Sequence, residues 1–113
     1  MAFKSIQKPE IATISNAVKV ALQNIYGERL VSVLLYGSFA RGEEKMESDI
    51  DFLYVLKDEN VRKGHEIRFS AHVAADLSLQ FGISISLHPT SAGSFEQTDR
   101  LFYQNIKKEG IFI

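Results

Sequence analysis

Two aspartates one residue apart, Asp49 and Asp51, follow the segment Tyr36-Gly37-Ser38-Phe39-Ala40-Arg41-Gly42 after a short polar stretch. In a strand, residues two apart share a face, so both carboxylates aim together while Ile50 and Phe52 turn inward. Two adjacent carboxylates repel unless a cation sits between them. An oxygen-only pair suits magnesium, which takes one or two carboxylates together with substrate phosphates. The upstream segment suits those phosphates. Gly37 lets the backbone approach a ligand closely, and a helix opening at Ser38 offers free N–H groups. The Ser38 hydroxyl adds a donor. Arg41 lies one helical turn further on, within reach of the same phosphates, and Ser48 can cap or orient the loop that carries the aspartates. Each residue also has a plainer reading: a strand-to-helix turn, a surface arginine, solvated acids at a strand edge.

These groups need a scaffold. Ile11, Ile14, Val18, Ala21, Leu22 and Ile25 recur at helical spacing after Pro9, and Gly27 can end that helix. Residues 30–36 form an apolar run broken only by Ser32, which reads as a buried strand. A short helical turn from Ser38, a polar loop over 43–48 and a second strand over 50–56 follow. Residues 62–81 read as helix with Ile67, Ala71, Ala74, Leu77 and Phe81 on one face. The alternation Ile83-Ser84-Ile85-Ser86-Leu87 predicts a third strand stopped by His88-Pro89. Residues 94–108 read as a last helix with Leu101, Phe102, Asn105 and Ile106 inward, and 111–113 as a short edge strand. This αβαβαβα order predicts an α/β fold, two layers with a small mixed sheet and helices.

Composition narrows the classes. The 113 residues leave room for one core, so a single domain over 1–113 is expected. The 45% hydrophobic and 24% charged content is ordinary for a globular protein. A net charge of −1 gives no basic field for long nucleic acid. The chain has no cysteine, which excludes disulfides and thiolate chemistry. No run reaches membrane-spanning length and Met1–Pro9 has no apolar signal core, so a cytoplasmic location is expected. His65, His72 and Asp76 share a helical stripe, which fits either a metal or a solvated face. Phe39, beside the Gly-Ser turn, fits either a base-stacking ring or a core residue.

Gly37-Ser38, ten spacer residues and then Asp49-Ile50-Asp51 make a pattern that resembles the DNA-polymerase-β-like nucleotidyltransferases. The longer string GSFARGEEKMESDIDF is similar to the minimal nucleotidyltransferases (MNT), often paired with a helical HEPN protein as antitoxin and toxin. The ending from Phe102 to Ile111 is also similar to the end of such domains. The resemblance implies that Asp49 and Asp51 hold Mg2+ and are the catalytic residues. It implies ATP as substrate, bound at Gly37 and Ser38 with Arg41 and Ser48 in support. The AMP would pass to a hydroxyl of a partner, a tyrosine of a HEPN protein. The chain is too small for its own acceptor-recognition domain, which favours a protein partner or a homo-oligomer.

One part of the pattern is missing. The family places a third acid on the following strand, where this chain has Ser84, Ser86 and His88. His88 is a conceivable general base, though capping the strand before Pro89 is the simpler fate. Glu44 and Glu96 are the other acids at hand, with no spacing to favour either. The gap supports a rival reading, a non-catalytic module of the same fold that neutralises a partner by occlusion. Transfer to a small molecule, as in aminoglycoside nucleotidyltransferases, is a third reading, disfavoured by the absence of a second domain.

Overall fold

Apolar residues four apart build the first layer. Ile14, Val18, Leu22 and Tyr26 are buried along helix α1 (Lys8–Tyr26). A 3-10 turn over Gly27–Arg29 leads into β1 (Leu30–Tyr36). The computed structural model describes residues 8–44, 48–97 and 100–113. After β1 come α2 (Ser38–Arg41), β2 (Ile50–Leu56), α3 (Lys63–Phe81), β3 (Ile85–Ser91), α4 (Ala92–Gln97), α5 (Leu101–Glu109) and β4 (Ile111–Phe112). The strands form one mixed sheet in the order β3-β2-β1-β4. Strand β1 is antiparallel to β2 and β4, and β2 is parallel to β3.

Strand alternation divides the core between two faces. Val33, Leu35, Phe52, Tyr54 and Leu56 pack under α1 and α3. Leu34, Leu53 and Val55 pack with Phe95, Tyr103 and Ile106 of α4 and α5. The expected α/β architecture is therefore present, with α1 and α3 as the main helical layer and short helices on the opposite face.

Three boundaries and faces differ from the expectation. First, β3 starts at Ile85 and runs through His88-Pro89 to Ser91. Ile50 donates its N–H to the Ser84 carbonyl, and Ile50 is the register partner of Ile85. In a parallel ladder this turns the odd-numbered backbone groups of β3 to the free edge. Pro89 is one of them, so its missing N–H costs no bond within the sheet. The outward N–H of Ile85 is taken by Ser78 Oγ at 3.0 Å.

Second, α3 buries Glu66, Ser70, Val73 and Leu77, while Ile67 and Ala71 are exposed. A polar network rotates the helix. Tyr26 donates to Glu66 Oε1 at 2.9 Å, Arg29 reaches Glu66 Oε2 at 3.1 Å, and the Tyr54 and Ser70 hydroxyls meet at 2.9 Å. A buried carboxylate is tolerated when it is bonded this fully.

Third, the expected last helix is two helices, α4 and α5, and residues 98–99 lie outside the described residues. The inner edge of α5 is Tyr103 and Ile106; Leu101 is 69% and Phe102 49% exposed. Tyr103 turns inward because Thr90 and Lys63 both donate to its hydroxyl oxygen, at 2.8 and 3.0 Å.

Candidate active site

Strand β1 ends at Tyr36, and Gly37 then takes φ 80° and ψ −158°, a backbone state reserved for glycine. This kink starts α2 at once. Ala40 and Arg41 donate to the Gly37 carbonyl at 3.1 and 3.2 Å. Ser38 and Phe39 open the helix, so their N–H groups have no acceptor within it. A Cβ on Gly37 would lie 2.6 Å from Asp51 Oδ2. The glycine therefore makes room for a carboxylate of its own chain, and not only for a ligand.

Antiparallel pairing explains this closeness. Tyr36 is the register partner of Asp51, and Ser86 pairs with Asp51 on the other side. Asp49 lies just before β2 and is exposed; Asp51 lies inside it and is half-buried. Burial raises the Asp51 carboxyl above its ordinary value; His88 works against the rise and Asp49 adds to it. A half-buried acid beside a second acid is the donor set that a hard divalent cation neutralises.

The raised value has a consequence for stability. The folded state holds this proton more tightly than the unfolded chain does. Stability therefore falls as pH rises from the ordinary value of 3.8 through the raised folded value. At neutral pH the ionised group opposes folding. Asp51→Asn is expected to raise the metal-free melting temperature at pH 7. The gain should shrink as pH approaches 4, and calorimetry across this range checks it. A variant that melts lower than the wild type at pH 7 would contradict the assignment.

The remaining sequence candidates separate. Arg41 is exposed and its guanidinium bonds Glu43 at 2.8 Å and Glu109 at 3.5 Å. Exposed pairs of this kind are weak, so a triphosphate can compete for the arginine. Ser48 lies half-buried directly before Asp49, and loop residues 45–47 lie outside the described residues. Phe39 packs against the α1 and α3 core, which is its structural reading. His65, His72 and Asp76 sit exposed on α3. Among the described residues no group of three His, Cys, Asp or Glu side chains could hold a metal, so neither this stripe nor Glu44 or Glu96 completes one.

One feature escaped sequence reasoning. The Tyr36 ring lies 6.0 Å from that of His88 and 5.8 Å from that of Phe102, centroid to centroid. These three rings form an aromatic wall on the Asp51 face. Burial, followed by the Asp51 charge, raises the Tyr36 hydroxyl well above the ordinary phenol value, which keeps it protonated. The alternation Leu34-Tyr36 was the available signal, but Phe102 meets Tyr36 only because of how α5 crosses the sheet.

The family model described as Polymerase beta, Nucleotidyltransferase matches residues 16–113. The chain belongs to this nucleotidyltransferase family. A Methanocaldococcus jannaschii protein provisionally named a protein adenylyltransferase is 35% identical over 77 residues, covering 68% of this chain and 76% of that protein. The fold is that of a toxin-antitoxin crystal structure with AMP-PNP, at TM-score 0.62 and 18% identity over 86% of this chain and 69% of that one. It is also that of a MntA-HepT toxin-antitoxin structure, at TM-score 0.59 and 15% identity over 89% and 69%. No described helix is long and apolar enough to cross a membrane.

Proposed function

We propose that this nucleotidyltransferase binds Mg-ATP and transfers AMP to a tyrosine hydroxyl of a helical HEPN-type partner, as the antitoxin of a toxin-antitoxin pair. One observation carries the reading: Asp51 Oδ2 stands against Gly37, with room for no side chain between them. This closeness of Asp51 to the Gly37-Ser38 turn supports one site for the acid pair and the phosphate cradle. Asp49 and Asp51 would hold magnesium. Magnesium bound there supplies charge compensation at the α-phosphate and the departing pyrophosphate. The N–H groups of Ser38 and Phe39 and the Ser38 hydroxyl hold the β- and γ-phosphates. Arg41 leaves its surface carboxylates to add positive charge there.

The acceptor follows from what β3 lacks. With no third carboxylate, a hydroxyl that gives up its proton readily is favoured. A tyrosine, with pKa near 10, fits better than an alcohol. The partner reading draws support from the toxin-antitoxin structures that share the fold. The test is α-labelled ATP with magnesium and the purified partner, followed by mapping of the label. The expected result is AMP on a tyrosine, formed faster as pH rises. Label on serine or threonine would refute the acceptor. A stable complex with no label would favour the occluding module, which the absent third acid on β3 also supports.

A further inference from the structure

We propose that His88 is a further catalytic residue, the group that takes the proton from the acceptor hydroxyl. The inference rests on the transfer reading above. Its basis is the order of three neighbouring strands. β1 ends in the phosphate cradle at Gly37-Ser38, β2 carries Asp51, and β3 carries Ser86 and His88. Asp51 is flanked in register by Tyr36 and Ser86, and His88 pairs with Leu53, the next residue on the same face.

Transfer of a nucleotidyl group needs the attacking and leaving oxygens roughly in line. The pyrophosphate leaves toward the cradle, at the β1 side of Asp51. The attacking oxygen must therefore arrive from the β3 side. There the described face of β3 offers Ser86, His88 and Thr90, and Thr90 already donates to Tyr103 at 2.8 Å. A serine hydroxyl is no base at neutral pH, which leaves the imidazole. His88 is exposed, and its ring centroid lies 6.0 Å from that of Tyr36.

In the step, the acceptor O–H bond breaks and its proton passes to an imidazole nitrogen of His88. The freed electron pair forms the bond to the α-phosphorus. The bond from α-phosphorus to the bridging oxygen breaks, and its electrons leave with pyrophosphate. A phenol suits this base better than an alcohol does, in accord with a tyrosine acceptor.

The experiment compares wild type and His88→Ala in single-turnover transfer of labelled AMP to the partner, with AMP-PNP affinity measured in parallel. The expected loss is about 10²–10⁴-fold in rate, the usual worth of a general base. AMP-PNP affinity should stay unchanged, and added imidazole should restore part of the rate. Equal rates for wild type and variant would overturn the role of His88 and leave the transfer reading standing. A slow variant that imidazole does not rescue would overturn it too. If the wild type binds AMP-PNP but transfers nothing, both the transfer reading and this one fall.

Discussion

Asp49→Asn combined with Asp51→Asn is expected to abolish magnesium-dependent nucleotide binding while the fold survives. Asp49 is exposed and Asp51 only half-buried, so neither change opens a cavity. Asparagine keeps the shape of each side chain and removes its charge. Groups that merely orient metal ligands cost about 10–100-fold in metal affinity when removed, so loss of both ligands should cost on the order of 100-fold or more. The relief of repulsion between the two acids leaves the metal-free protein no less stable. Titration with AMP-PNP and magnesium, beside thermal melting, checks both halves. Unchanged affinity in the double variant would remove these residues from the site.

Gly37→Ala is the second large effect. Alanine at φ 80° and ψ −158° is strained, by roughly 1–3 kcal/mol. Its Cβ would also stand 2.6 Å from Asp51 Oδ2, so the carboxylate must turn away. A loss confined to backbone strain would lower stability alone. Displacement of Asp51 lowers Mg-nucleotide affinity and transfer as well, and both should fall in this variant. Ser38→Ala is the comparison. It removes one hydroxyl donor, worth about 1–3 kcal/mol against a charged group, and leaves Asp51 in place. If Gly37→Ala transfers AMP as fast as Ser38→Ala, the glycine serves only the turn.

The legible part of this molecule was local. The apolar run over 30–36, the glycine-serine turn and the Asp-x-Asp pair each declare themselves within a few residues. The antiparallel pairing of β1 and β2, which brings Gly37 to Asp51, is seen only in the fold. The sequence did not reveal the tertiary choices. Pro89 reads as a strand breaker until the ladder shows that its backbone faces the free edge. Ile67 and Ala71 look like a core face until Tyr26, Tyr54 and Arg29 draw Glu66 and Ser70 inward. Tyr103 is hidden by Lys63 and Thr90, which lie 40 and 13 residues away in sequence. In the last two cases a long-range polar contact outweighed a local apolar pattern.

The same read-through at Pro89 alters the view of His88. As a cap it would close a strand; as an interior residue of β3 it shares a face with Asp51. The proposed proton acceptor then stands on the Asp51 face, two residues beyond Ser86, the register partner of Asp51.

The central claim is that one Mg-nucleotide site joins Gly37-Ser38 to Asp49 and Asp51. Isothermal titration of the wild-type protein with AMP-PNP, first with magnesium and then with the metal chelated, tests it most directly. Saturable binding with magnesium that disappears on chelation is the expected result. Binding of equal strength in both conditions, or none in either, would contradict it.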